Sequence, residues 1–353
     1  MNLMIMKTYT TIIKNLNNFF TDLIKITIFF LKNRNIKICF FNENRHTFKY
    51  LKFYLDRKCK KKKIVLLTFE KINFDNINCY VILIKSNFFK DFFFLINKFK
   101  YLYTTTPNLN SSLFKKSILN KTKYIYIQHS PVSLIKAYHE KAFVEFDAVQ
   151  TINRFQYNEV LLLNKINKKK IKPFRSTYHF LNKTRKNKDT KIDVLIAPTW
   201  KTNFYEIKYH LILTEYFKKN NINYILRPHP MSLVKEEISI KELDENKINY
   251  DLNPELKIEN YENLISNWSG IFIEFALVNK KMPYHVDTSK KILNNTFVNE
   301  YETIEEFARR AITHNFKMDN IDNFNFNKFK ISSLFNQSEE VKIINNFHRE
   351  NFF

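Results

Sequence analysis

The chain has a single glycine, Gly270, among its 353 residues. It lies within residues 264–288, LISNWSGIFIEFALVNKKMPYHVDT, a pattern that predicts a buried strand, a polar turn, a helix and a second strand. Glycine permits unstrained positive φ and the close approach of the backbone to another group. A chain with no other glycine needs it in this turn.

The turn at residues 266–270, SNWSG, is a candidate anion site because it opens a helix. The backbone N–H groups of Ser269, Gly270 and Ile271 could point at an anion, and the positive end of the helix dipole would strengthen the attraction. We interpret the turn as a phosphate or diphosphate site. The alternative is an ordinary strand-to-helix turn with a serine or asparagine cap.

Length and composition are typical of a two-domain protein, since a hydrophobic content of 44% is sufficient for a core in each domain. A formal net charge of +24 would suit nucleic acid, an anionic membrane surface or a phosphate-rich substrate, although solvated lysine runs account for part of it. The sequence has no arginine-rich helix, zinc-ligand spacing or RNA-binding aromatic motif, so we expect no nucleic-acid partner.

Cys39, Cys59 and Cys79 are too few and too scattered for a disulfide framework, which predicts a reducing cytoplasm.

The N-terminal residues 8–31 have a helical pattern with one apolar side. Charges interrupt this segment too often for a spanning helix, and Asp22 and Lys25 break the apolar region that a secretory signal would need. The segment is therefore either an amphipathic helix on an anionic inner leaflet or a helix packed on the first domain. The predicted apolar side consists of Ile12, Leu16, Phe19, Phe20, Leu23 and Phe30.

From residue 36 the sequence alternates between strand and helix patterns. In the first half, strands are predicted at 36–41, 64–69, 80–84, 101–105 and 124–128, with helices at 46–57 and 87–99. In the second half, strands are predicted at 193–197, 223–226 and 264–266, with helices at 207–219, 232–237 and 302–312. This alternation predicts two doubly wound α/β domains around a cleft, with functional residues at the carboxyl ends of the strands.

Residues 164–191 interrupt the alternation with dense charge and little periodicity, which is typical of a linker. We therefore predict an N-terminal basic amphipathic helix over residues 1–33 and a first domain over 34–180. A second domain is predicted over 191–320 and a C-terminal tail over 321–353.

Two segments in the first half follow predicted strand ends, TTTPNL at 104–109 and QHSPVS at 128–133. His129 is the candidate general base, because an imidazole titrates near neutrality and can accept a proton from an attacking hydroxyl. The alternative is a structural or solvated histidine.

The segment RPHP at 227–230 follows another predicted strand. Its two prolines restrict the backbone and would hold Arg227 and His229 rigidly beyond the strand end. Arginine offers a planar fork for phosphate oxygens, and a neighbouring histidine can donate a hydrogen bond or a proton to a leaving group. The alternative is a proline-rich turn with Arg227 at the surface.

Four ordered segments, QHSPVS, IAPTW, LRPHP and SNWSGIFIEFA, resemble the CDP-glycerol glycerophosphotransferase family. This is the teichoic acid polymerase type, and the resemblance is greatest to its branch associated with bacterial capsule and surface polysaccharides. The segment TTTPNLNSSLFKKS also resembles that branch, and the likeness covers residues 101–313.

The resemblance implies a GT-B fold, in which two Rossmann-like domains, one for the acceptor and one for the nucleotide donor, face a cleft. It implies metal-independent transfer from a CDP-activated donor, with no cofactor. His129 would be the general base acting on the acceptor hydroxyl. Arg227 and His229 would contact the donor diphosphate, with His229 as a second catalytic residue.

The remaining site residues are also implied by the resemblance. Ser269 and Gly270 would bind phosphate at the helix start, and Glu274 would hold the ribose hydroxyls. Thr199 of IAPTW would lie near the donor. Asn267 occupies the position where the family usually has an acidic residue, and Lys201 follows IAPTW where a small residue is usual.

The sequence therefore predicts a transferase that moves glycerol phosphate, or a related polyol phosphate, from a CDP-activated donor to a hydroxyl of a teichoic acid-like or capsular polymer. The acceptor would be a polysaccharide or a lipid-linked chain, and the enzyme would be cytoplasmic and peripheral on the inner face of the cell membrane. One alternative is a GT-B glycosyltransferase that uses a nucleotide sugar for surface polysaccharide synthesis. Another is a non-catalytic relative.

Overall fold

Seven strands form the sheet of the first of two units in this computed structural model. Their order is β3-β2-β1-β4-β5-β6-β7, and the neighbouring pairs from β3 to β6 are parallel. This is the Rossmann order with one further strand. The strands are β1 (Ile38–Asn42), β2 (Ile64–Thr68), β3 (Cys79–Leu83), β4 (Tyr101–Thr104), β5 (Lys123–Tyr126), β6 (Ala148–Thr151) and β7 (Lys172–Arg175).

The structure describes residues 2–33, 35–96, 98–110, 114–117, 121–139, 141–178, 192–253, 256–288, 301–316 and 337–353. The first unit comprises residues 1–129, 140–151 and 160–174, and the second comprises 130–139, 152–159 and 175–353. The division differs from the predicted boundaries, because two segments inside the predicted first domain belong to the second unit.

The helices of the first unit are α1 (Asn2–Lys32), α2 (Arg45–Cys59) and α3 (Asn87–Ile96), and α4 (Arg154–Asn167) begins in the second unit and ends in the first. β1 and β2 are buried along their whole length. Such continuous apolar strands are typical of parallel sheets covered by helices on both faces.

Helix α1 packs on the first unit, as one of the two predicted alternatives has it, but only part of the predicted apolar side takes part: the Phe19 ring lies 4.7 Å from that of Phe89. Asp22, Ile26 and Phe29 are buried, whereas Phe20 and Leu23 are exposed. The Asp22 carboxylate accepts hydrogen bonds from the backbone N–H groups of Lys85 (2.8 Å) and Ser86 (3.1 Å). This pairing compensates the burial of a charge next to the start of α3. No helix in the described ranges combines the length and the apolar character needed to cross a membrane.

The second unit has a five-stranded sheet in the order β12-β11-β10-β8-β9, with all neighbours parallel. Relative to their chain order this is 5-4-3-1-2, the other common doubly wound arrangement. The strands are β8 (Ile192–Ile196), β9 (Tyr224–Leu226), β10 (Tyr261–Ser266), β11 (Tyr284–Val286) and β12 (His314–Phe316).

Helix α8 (Gly270–Asn279) is the central helix of this unit. Seven of its ten residues are buried, which agrees with its apolar character on all sides. A capping box of Thr303 and Glu306 starts α9. The other helices are α5 (Tyr209–Lys219), α6 (Pro230–Val234), α7 (Ile240–Glu245), α9 (Ile304–Ala311) and α10 (Gln337–Asn351).

Three local predictions differ from the structure. The segment predicted as a linker contains the end of α4 and strand β7, and its residues 179–191 lie outside the described residues. The predicted tail contains α10, whose Ile344 and Phe347 join the core of the second unit, while its residues 321–336 lie outside the described residues. The helix predicted at 232–237 instead begins at Pro230, because His229 caps it.

Candidate functional site

The candidate site of the second unit lies where the strand order of its sheet reverses. β8 and β10 are adjacent and parallel, so the segments that follow them, 197–202 and 267–270, lie side by side. Ligands of open α/β sheets bind at such switch points, outside the carboxyl ends of the strands. IAPTW and SNWSG are therefore brought together by topology.

Asn267 joins these segments through its buried amide. Its Oδ1 accepts a hydrogen bond from the Thr199 N–H at 2.7 Å, and its Nδ2 donates to the hydroxyls of Thr202 (3.1 Å) and Thr288 (3.2 Å). The side chain is fully buried. Asn267 thus positions Thr199 and the loops around it, and its amide is occupied by protein partners. A carboxylate here could accept from all three groups but could donate to none.

Gly270 is required for close packing and not for backbone freedom, because no described glycine has a positive φ. A Cβ at this position would lie inside van der Waals distance of the Ser130 hydroxyl oxygen. It would also lie 3.0 Å from Val132 Cγ1 and 3.2 Å from Pro131 Cδ. The segment that follows His129 in the chain therefore packs against the first residue of α8.

The left-handed backbone conformation, with positive φ, is found at residues other than glycine. Lys201 has φ 58° and Lys280, at the C-cap of α8, has φ 54°. This conformation favours glycine, which gives a physical reason for the small residue usual in the family after IAPTW. The nine described residues of this kind are Asn108, Asn110, Lys168, Lys201, Lys208, Asn221, Glu236, Lys247 and Lys280.

The start of α8 offers fewer donors than the sequence predicted. Ser269 is the N-cap, its own N–H donates to the Asn267 carbonyl at 2.8 Å, and its hydroxyl accepts from the Ile271 N–H at 3.5 Å. The Gly270 N–H has no partner among the described residues. Of the three N–H groups that we predicted to bind an anion, only that of Gly270 can do so without a change in the turn. The helix dipole would add to its attraction.

His229 caps helix α6 and stacks on Trp200. Its Nδ1 accepts the Met231 N–H at 3.1 Å, so the neutral ring carries its proton on Nε2 and can donate it. The rings of His229 and Trp200 are 6.2 Å apart at an interplanar angle of 22°. The sequence thus places a fixed imidazole donor at the end of β9, as RPHP predicted, with Trp200 as an unpredicted support.

Arg227 is held by the protein on one side of its guanidinium. Nη1 donates to the Asp251 carboxylate at 2.9 Å, and Nη2 donates to the Asn253 carbonyl. Burial lowers the pKa of Arg227, and the charge of Asp251 opposes that shift. The ion pair orients the guanidinium without neutralising it. The alternative interpretation, with Arg227 at the surface, does not hold, because the Arg227 side chain is mostly buried.

Glu274 is half-buried on α8, and one of its carboxylate oxygens accepts a hydrogen bond from the hydroxyl of Tyr178. Tyr178 is itself buried. A carboxylate anchored through one oxygen has a defined orientation, which suits recognition of paired hydroxyls.

His129 belongs to the first unit, directly after β5. Its Nδ1 lies 3.1 Å from the Tyr126 hydroxyl, and its ring packs edge-on against Tyr50 at 6.1 Å. Burial and then the charge of Lys49 lower the pKa of His129 to about 4, against a hydrogen bond to the Thr105 backbone. The imidazole is therefore neutral at pH 7, which is the form that a general base requires.

Solved structures of the wall teichoic acid polymerase TagF are similar to this chain. One, a histidine-to-asparagine variant soaked with CDPG, has a TM-score of 0.54 at 11% identity and covers 97% of this chain and 91% of its own. The structure of the same variant after a longer soak has a TM-score of 0.55 at 10% identity and covers 97% of this chain and 92% of its own. The chain has a TagF-like fold. The predicted GT-B class, with two Rossmann-like domains, is confirmed.

The TagF-like fold is recognised through structure, since no protein-family model matches the chain and no curated protein matches its sequence. A histidine-to-alanine variant of TagF has a TM-score of 0.53 at 11% identity, over 95% of this chain and 92% of its own.

Sequence reasoning missed the residues that hold the segment after His129. Gln156 donates to the carbonyls of Ser130 (3.2 Å) and Val132 (2.9 Å). Glu159 accepts from the Ser133 hydroxyl at 2.7 Å and from the Leu134 N–H at 2.6 Å. No local pattern indicates these pairs, because they join residues more than twenty positions apart.

Gly270→Ala should lower the free energy of unfolding by about 1–3 kcal/mol, since the added methyl group overpacks a filled contact. Ser130→Ala removes the atom nearest to the added methyl group. Gly270→Ala should therefore cost less stability in the Ser130→Ala variant than in the parent. Urea denaturation of the two single variants, the double variant and the parent measures this coupling. Equal costs in both backgrounds would contradict the contact.

Burial raises the pKa of Glu159 to about 8. The folded state then binds more protons than the unfolded state between pH 4.5 and 8, so stability should fall by about 2 kcal/mol as pH rises from 6.5 to 8. Glu159→Gln preserves the neutral shape and should remove this decrease. Urea midpoints across the range test it, and the comparison of parent with variant cancels the histidine titrations, which both proteins share. The same decrease in both proteins would exclude Glu159 as its source.

Proposed function

We propose that this protein transfers glycerol phosphate, or a related polyol phosphate, from a CDP-activated donor to a hydroxyl of a surface polymer. The observation that carries the proposal is that the loop after β8 contacts Asn267 through Thr199 and His229 through Trp200, at the switch point of a sheet in a TagF-like fold. Solved TagF structures include variants soaked with CDPG, which supports a CDP-linked donor.

The second unit would bind the donor. The Nε2–H of His229, the guanidinium of Arg227 and the Gly270 N–H supply donors for diphosphate oxygens, and the dipole of α8 adds a positive potential. Glu274, oriented by Tyr178, would accept hydrogen bonds from the ribose hydroxyls. Fixed donors stabilise the charge that develops during phosphoryl transfer without reorganising.

His129 would act on the acceptor. Its neutral imidazole takes the proton of the attacking hydroxyl, the new bond forms between that oxygen and the phosphorus next to glycerol, and the bond to the CMP oxygen breaks in line. CMP leaves with the electron pair of that bond. The Nε2–H of His229 can donate a hydrogen bond to the departing phosphate and stabilise its charge, while the proton of the acceptor stays on His129 until solvent removes it.

The protein should release CMP from CDP-glycerol in the presence of an acceptor. His129→Ala should reduce kcat/KM by about 10²–10⁴-fold, the range typical of a general base. His229→Asn should reduce it by about 10²–10³-fold, the range for a lost donor to a developing charge. The asparagine can still cap α6, so the loss reports the missing donor and not a damaged helix.

A panel of CDP-glycerol, CDP-ribitol and common nucleotide sugars separates the alternatives. Turnover restricted to a nucleotide sugar would replace the proposed chemistry with glycosyl transfer. Full activity of His129→Ala would remove His129 from the mechanism. If no donor is consumed and calorimetry detects no donor binding, the protein is a non-catalytic relative.

We also propose that the enzyme is cytoplasmic and binds the inner face of the membrane peripherally through α1. An exposed apolar stripe runs along this helix with a spacing of three and four residues, as expected for one face. The exposed fractions are 58% at Phe20, 58% at Ile24, 49% at Ile28 and 65% at Leu31. Such a face next to basic residues suits an anionic lipid surface.

Flotation with liposomes containing anionic lipid should recover the protein, and Ile24→Glu with Ile28→Glu should abolish recovery because charges are costly in the apolar boundary. Leu161→Glu with Ile166→Glu, at exposed apolar positions of α4, is the matched charge control. Recovery of the stripe variant at the level of the parent would contradict the proposal.

A further inference from the structure

A cavity of about 350 Å³ lies beside the first turn of α4 and the start of α9, within the second unit. Its volume is at the lower end of the range for small-molecule sites. It is separate from the residues placed above in the donor site. The lining residues are Arg154, Phe155, Asn158, Tyr301, Glu302 and Phe307.

The lining of the cavity contains one basic and one acidic side chain, Arg154 and Glu302, which do not pair with each other. The Arg154 guanidinium lies 5.3 Å from the ring centre of Phe155 and 5.8 Å from that of Phe307, and it forms no ion pair with any described carboxylate. Glu302, the acidic residue of the lining, pairs with Arg310 instead. The aromatic rings shield one face of the guanidinium from water, which strengthens its attraction for an anion on the other face.

The aromatic floor is held in place before any ligand binds. Phe155 and Phe307 are 5.4 Å apart at 38°, and Phe307 stacks on Phe347 of α10 at 6.0 Å and 18°. The hydroxyl of Tyr301 donates to the carbonyl of Phe155 at 3.1 Å. The two tilted rings cannot sandwich a planar base, but they offer apolar surface to the carbon chain of a polyol or sugar.

The first wall of the cavity also holds the segment after His129. On the first turn of α4, Asn153 donates to the Pro131 carbonyl at 3.4 Å, and Gln156 donates to the carbonyls of Ser130 and Val132. Arg154 and Asn158 on the same helix line the cavity.

The second wall of the cavity is α9, which also binds the segment after His129. Glu305 accepts the Ser133 N–H at 3.1 Å, and Glu306 pairs with Lys136 at 2.8 Å. Two neighbouring helices therefore bind residues 130–136 through some side chains and line the cavity through others.

We propose that this cavity is an acceptor subsite, which binds a phosphate of a polyol phosphate or sugar phosphate through Arg154 and Asn158. The inference rests on the proposed function, in which an acceptor that already carries transferred polyol phosphate units bears phosphates. The arginine fork matches phosphate oxygens, the exposed Asn158 amide can donate to them, and the aromatic floor contacts the adjoining carbon atoms. The subsite lies beside residues 130–136, which follow His129 in the chain.

Calorimetry with the full chain and no donor tests the subsite. The probes are a three-unit poly(glycerol phosphate), glycerol 3-phosphate, inorganic phosphate and glycerol. We expect the oligomer to bind and glycerol not to bind. A comparison of glycerol 3-phosphate with the oligomer shows whether the source of the phosphate is a free metabolite or the polymer.

Arg154→Gln should weaken oligomer binding at least tenfold, and Asn158→Asp should weaken it similarly through repulsion. Both residues are exposed, so circular dichroism should show an unchanged fold. Arg349→Gln, an exposed arginine on α10, is the matched control and should bind within twofold of the parent.

Unchanged binding by Arg154→Gln, equal losses in Arg349→Gln, or no oligomer binding by the parent would overturn the subsite. CMP release with an unchanged KM for acceptor in Arg154→Gln would reject the subsite and retain the proposed transferase. Binding that depends on Arg154 in a protein that consumes no donor would reject the transferase and retain the subsite.

Discussion

The contact between Gly270 and residues 130–132 is the constraint on which the second unit's site depends. A helix start can approach another segment this closely only without a Cβ, and the space is filled by Ser130, Pro131 and Val132. The same segment is held from its other sides by α4 and α9. The lack of a side chain at Gly270 therefore allows the start of α8 to contact the segment that follows His129.

The strand order of the second sheet determines what else surrounds that helix start. Because β8 and β10 are neighbours, the Asn267 amide can bind the Thr199 N–H and two threonine hydroxyls at once. A neutral amide can both donate and accept, so it satisfies this buried position without burying a charge. An asparagine therefore fits this buried position, where the sequence resemblance leads to the expectation of an acidic residue.

Much of the fold could be predicted because its strands are short apolar runs and its helices begin at recognisable caps. The turn at Ser269 and the strand before His129 followed from these local patterns. The side of α1 that packs on the first unit did not, since Asp22 is buried by pairing with the N–H groups before α3. A serine cap was one of the two interpretations of the turn, and only the structure shows that the Ser269 and Ile271 N–H groups, which the other interpretation assigned to an anion, are bonded within the turn.

By itself the sequence determined most of the strands and helices, the positive charge and the position at which glycine is indispensable, because periodicity and residue type are local properties. It did not indicate β6, α4, β7, β12 or α10. Only the tertiary structure decided why glycine is needed. Parallel sheets connect strands through long crossovers, so the partners of Gly270 and Ser133 lie far away in the chain, as in the bond from Ser133 to Glu305 across 172 positions. Contacts of that kind leave no periodic signal in the sequence.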